Sequence, residues 1–205
     1  MNKLLYFFKP YFDYIDAGLL FKKPFYWLYA FFAGLNLLTP LLAIIGAINN
    51  NIFDLPGKFT FAFLFIWVFL AAANVLGFQL WWRRKDQVVN LSEEGSDFVA
   101  TPVYAHLIQT SGEFLGSFLA ILFLGIGLIS SIILGGDAGR IDRFFPVSVP
   151  VDNAFILIIL GPAIGFLIII SSRLASELIR ALASIANNTS GTTAQVAGSE
   201  PEPFK

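Results

Sequence analysis

Cysteine is absent from this 205-residue chain, and histidine occurs once, at His106. Without thiols there is no disulfide, thiolate zinc site, iron–sulfur cluster, thioether-linked haem or cysteine nucleophile. A single imidazole excludes multi-histidine metal sites and bis-histidine haem ligation within one chain. Charge is scarce too. Only 13% of residues are Asp, Glu, Lys or Arg, against roughly a quarter in a soluble domain. The net charge is -1, and the one basic block, Arg83-Arg84-Lys85, is too short to form a nucleic-acid-binding face. No Walker loop, GxSxG elbow, HExxH or dinucleotide fingerprint is found. No cofactor is expected.

What is present is apolar. Hydrophobic residues make up 57% of the chain, 23 of them Phe, and the mean hydropathy is +0.73. A soluble fold of this size could not hide that surface, so the sequence reads as an integral membrane protein. Four uncharged stretches are long enough to cross a bilayer: 25–48, 59–82, 114–135 and 154–172. Backbone groups find no water in hydrocarbon, so each must be a helix. Continuous rather than alternating apolar runs argue against a β-barrel. The expected fold is all-α, a polytopic membrane protein with four transmembrane helices.

The first 23 residues read as an interfacial segment. Its start is a poor signal peptide, because Leu4–Phe8 is followed directly by Lys9 and Pro10 and no small-x-small cleavage site follows. The spacing of Leu4, Phe8, Tyr11, Phe12 and Ile15 predicts a short amphipathic helix lying in the membrane interface. The membrane domain occupies 24–187. The polar stretch 188–205 reads as a disordered tail.

Lys and Arg are unevenly shared. Ten lie in the N-terminal segment, the connector after the second stretch and the C-terminal segment; three lie in the other two loops. The positive-inside rule then places both termini in the cytoplasm. Two helices should outrun the roughly 30 Å hydrocarbon core. Thr101-Pro102 suits a helix start, and a helix from there to Leu134 is about 50 Å long. Asp152 can cap a second long helix, running to about Ala186.

Candidate functional residues are few. No ionisable residue lies deep in a span; Glu113 is nearest, at the mouth of the third, where it reads as an interfacial acid or a relay residue. His106 lies two turns before it. Asn36 and Pro40 share the first span, and Pro40 leaves the Asn36 carbonyl without its helical partner. That pair fits a kink with interhelical bonding, or an ion-coordinating break lining a pore. Gly112 and Gly116, Ala73 and Gly77, and Gly161 and Gly165 are each spaced four apart, for close packing within the chain. Arg173, Glu177 and Arg180 share one face of the last helix, beside an apolar stripe of Leu174, Leu178, Leu182 and Ile185. That face could dock a partner, with Glu177 held between the arginines. The alternative packs the stripe on the third helix near Val103, His106 and Leu107, with the charges reaching outward.

Residues 161–189, GPAIGFLIIISSRLASELIRALASIANNT, resemble the end of a family of small bacterial inner-membrane proteins. The likeness rests on a Gly-Pro step running into Arg173, then Glu177-Leu178, then Ile185 and Asn188. It implies a bacterial inner-membrane setting and no particular activity. The functional expectation is a non-enzymatic accessory or scaffolding subunit of a larger membrane complex. Its partners would be the lipid bilayer and other membrane subunits or further copies of itself, not nucleic acid. The alternative is a small homo-oligomeric channel or transporter.

Overall fold

The computed structural model describes residues 8–14, 19–91, 100–135 and 154–198, with side chains described over 8–14, 23–91, 100–135 and 154–189. Among these residues the regular structure is helical throughout. Residues 8–14 form a helical segment, α1. Four long helices follow: α2 (Leu19–Asn49), α3 (Gly57–Val89), α4 (Ala100–Ile129) and α5 (Phe155–Gly198). Each is long and apolar enough to cross a membrane. On α1, Phe8, Tyr11 and Phe12 are about half exposed, as the apolar face of an interfacial helix would be. Leu4, Ile15, the connector 92–99 and the loop 136–153 lie outside the described residues.

A tight connection fixes α2 against α3. Asn51 adopts the left-handed conformation with φ 53°, which asparagine tolerates better than most residues. Its carbonyl accepts the Asp54 amide at 3.1 Å, and buried Ile52 anchors the single 3₁₀ turn Ile52–Asp54. Pro56 precedes the first turn of α3, and its carbonyl accepts the Phe59 amide at 2.8 Å. A connection this short makes the two helices antiparallel neighbours. Asn36 and Pro40 lie within unbroken α2. The Pro40 carbonyl accepts the Trp67 indole N–H from α3 at 2.9 Å.

The helices form a row rather than a closed bundle. α2 packs along α3, α3 along α4, and α4 most extensively along α5; α2 touches α4 far less, Tyr29 being one point of contact. Small residues set the α4–α5 spacing. A Cβ on Gly116 would overlap the Gly165 carbonyl oxygen, and one on Gly165 would overlap that of Gly116. Backbones this close gain dispersion contacts that lipid tails cannot supply to one helix alone. Phe59, Ala62, Ile66, Ile126, Leu134 and Leu157 make a core at one end, and Tyr29, Ala33, Trp81, Val88 and Val103 a second at the other. The outside is as apolar as the inside: Phe61, Phe65, Val68, Ile159, Phe166 and Leu167 are all more than half exposed. Such all-round hydrophobicity fits helices solvated by lipid.

Two boundaries differ from the sequence reading, while the far end of α4 falls at Leu134 as expected. α4 is already helical at Ala100, so Thr101 lies inside the helix instead of capping it. Its far end passes into a π turn over Ser130–Leu134 and stops at Gly135 with φ 51°, a conformation that costs glycine least. α5 continues to Gly198, through the first part of the stretch expected to be disordered. Its polar residues do not break it, because proline is absent until Pro201 and Thr189 Oγ1 bonds back to the Ile185 carbonyl at 2.9 Å.

Candidate functional site

Antiparallel packing gathers the N-terminal ends of α2 and α4 and the C-terminal ends of α3 and α5 at one end. The polar side chains near that end meet there. Glu113 lies at the centre, with its side chain 9% exposed. Arg84 of α3 donates through Nη2 to Glu113 Oε2, and Arg173 of α5 donates through Nε to Oε1 at 2.8 Å. Gln109, one turn back on α4, donates to the same Oε1 at 3.1 Å. Both carboxylate oxygens are therefore engaged, and the acid joins three helices.

The network extends in two directions. Toward α5, Gln109 Oε1 accepts Arg180 Nη2 at 2.8 Å, and Ser176 Oγ lies 3.5 Å away. Toward α2, Thr110 Oγ1 accepts Arg84 Nη1 at 3.1 Å and donates to the His106 carbonyl at 2.8 Å. The Tyr29 hydroxyl is 2.8 Å from His106 Nδ1, and His106 Nε2 is 3.3 Å from Gln87 Oε1. The amide oxygen can only accept, so Nε2 carries a proton. The Tyr29 hydroxyl also reaches Thr110 Oγ1 at 3.4 Å, so it bridges His106 and Thr110. Tyr29 is fully buried and edge-on to Trp81, with ring centroids 4.9 Å apart. Lys85 closes this side, buried with Nζ 3.2 Å above the Trp82 ring.

The structure separates the candidate residues into three groups. Glu113 and His106 belong to the network, as do Arg173 and Arg180. Glu177 does not: it is exposed, and among the described residues its side chain makes no hydrogen bond or ion pair. Both arginines turn toward α4, so they do not flank it. Asn36 is buried between α2 and α3, donating to the Phe32 carbonyl at 2.8 Å, and its Oδ1 has no partner. With Phe114 it crowds the space beside Gly77.

The alternative placement of the α5 stripe is reversed. Leu174, Leu178, Leu182 and Ile185 face outward at 56%, 57%, 66% and 62% exposure, while Ser176 is fully buried. At this level α5 turns polar groups inward and apolar groups outward, opposite to a water-facing helix.

Sequence reasoning missed Tyr29, Arg84, Gln87, Gln109, Thr110 and Ser176. One signal was there. His106, Gln109, Thr110 and Glu113 follow the i, i+3, i+4, i+7 pattern of one helical face, a polar stripe leading into an apolar span. Among the described residues, no three metal-ligating side chains group together. No protein-family model, curated protein or solved structure matches the chain.

Proposed function

We propose that this chain is a non-enzymatic accessory or scaffolding subunit of a larger bacterial inner-membrane complex, with both termini in the cytoplasm. The observation that carries the reading is the inverted face of α5. From Phe155 to Ile185 the helix is about 45 Å long at 1.5 Å per residue. Fitting that length into a 30 Å core needs a tilt near 50°, beyond the usual range of about 0–40°. At the upper end of that range the cytoplasmic end of the stripe reaches past the hydrocarbon into the interfacial layer, where a helix of another subunit would cover it. The polar network supports a structural role for the site, since its carboxylate and imidazole are bound by the chain's own side chains. The second reading, a small channel or transporter, draws on the unpartnered Asn36 Oδ1; the crowding of Asn36 against α3 favours packing.

Glu177 is the outward charge beside Leu174 and Leu178. Glu177→Arg should release the partner while leaving the four helices inserted, because like-charge mismatch at an interface costs several kcal/mol. The measurement is the mass and composition of the native complex after detergent extraction. Co-purification of the same polypeptides in an unchanged ratio would refute docking through this face.

Orientation has its own test, made simple by the lack of native cysteine. In intact cells, an impermeant thiol reagent should label Asn51→Cys and Gly139→Cys and spare Ser92→Cys. Labelling of Ser92→Cys from outside would reverse the topology.

A further inference from the structure

Beside the network, α3 presents a groove that the docking role leaves unused. Leu76, Gln79, Leu80, Arg83, Arg84 and Gln87 line an open surface depression of about 360 Å³. Their steps of three and four residues make one stripe along the helix. The stripe is graded by depth. Leu76 and Leu80 belong to the last apolar turns of the span, and Arg83, Arg84 and Gln87 follow just past its end.

The donors at that mouth are largely unspent. Among the described residues, Arg83 and Gln79 make no side-chain hydrogen bond or ion pair, and both are exposed. Gln87 uses its oxygen on His106, which leaves its amide N–H groups. Arg84 is committed to Glu113 and Thr110. Arg84 is paired with Glu113, so among the lining residues Arg83 is the uncompensated cation. Asp86 is exposed and is not part of the lining.

We propose that this groove binds an anionic phospholipid. The phosphate sits on the Arg83 guanidinium, with the Gln79 and Gln87 amides as further donors, and the upper acyl chain lies along Leu76 and Leu80. A cationic mouth over an apolar floor, at the depth where hydrocarbon gives way to headgroups, is complementary to such a lipid. A free phosphate would use the same donors but not the leucines.

The test uses the full chain in a neutral detergent and follows its thermal unfolding midpoint against added phosphatidylglycerol, phosphatidylcholine or inorganic phosphate. Phosphatidylglycerol should raise the midpoint saturably, and the other two should not. Arg83→Gln should weaken the effect about fivefold, the worth of one basic residue at an anionic surface. Gln79→Leu, which leaves net charge unchanged, should weaken it about threefold. Both side chains are exposed, so the midpoints without lipid should match the parent. Equal stabilisation by inorganic phosphate would assign the donors to a free anion and overturn the lipid. Equal stabilisation by phosphatidylcholine would overturn the requirement for negative charge. An undiminished phosphatidylglycerol effect in both variants would place the binding elsewhere.

Discussion

Glu113→Leu should be among the most damaging single substitutions in this chain, lowering stability by about 3–5 kcal/mol, as when one partner of a buried ion pair is removed. Two arginines lose their counter-charge at once, and Arg84, with a side chain only 17% exposed, has little water to turn to. Arg173 is 56% exposed, so Arg173→Met alone should cost about 1 kcal/mol or less. The triple variant Arg84→Met, Glu113→Leu, Arg173→Met should recover most of the loss, because apolar replacement of a complete buried ion group is often neutral. Reversible unfolding in mixed micelles measures all three. A triple variant no more stable than Glu113→Leu would mean that the polar groups do more than satisfy one another.

Gly116→Val should have the second largest effect, about 3 kcal/mol, as in strong overpacking of a core. The added carbon would collide with the Gly165 carbonyl oxygen and lie 2.7 Å from Ile169 Cγ1. The obstacle is backbone, which cannot rotate away as a side chain could, so α4 and α5 must separate. Gly34→Ala is the control. Nothing lies within 4 Å of its Cβ position, and alanine is the better helix former by up to about 1 kcal/mol, so that variant should match or exceed the parent in the same unfolding assay. A Gly116→Val protein as stable as the parent would show that the helices do not depend on this close approach.

The membrane helices were legible because hydrocarbon imposes one rule on every residue of a span. Long uncharged runs between Gly, Pro and charged punctuation mark α2 through α5 whatever they pack against. Helix ends were less legible. Thr101-Pro102 carries a start signal, yet the helix already holds Ala100, since a cap is a local preference that an adjoining turn can override. The site was legible only in part. Glu113 and His106 stood out because charge and imidazole are rare here. Arg84 did not, because in sequence it belongs to the basic block Arg83-Arg84-Lys85, which counts toward orientation and points to no partner. Only the crossing of α3 over α4 brings it to Glu113. Tyr29 was hidden among Phe25, Tyr26, Phe31 and Phe32, where composition says aromatic anchor and cannot say which ring meets a histidine. Of the two placements open for the α5 stripe, the structure reverses the inward one, because hydrophobic periodicity locates an apolar face but not the neighbour it meets.

The order of the helices in the row is also their order of synthesis. Each helix leaving the ribosome finds its packing partner already in the membrane: α3 meets α2, α4 meets α3, and α5 meets α4. The contacts are local, so nascent segments wait little for distant ones. The same order protects Glu113. When α4 arrives with Glu113, Arg84 has been in place since α3, so the acid enters lipid beside a counter-ion. Arg173 arrives later, into a site already neutral. Reversing the two hairpins in a permuted chain would place Glu113 and Arg173 in the bilayer first. Arg84 would come last, leaving the acid dependent until then on a half-exposed partner.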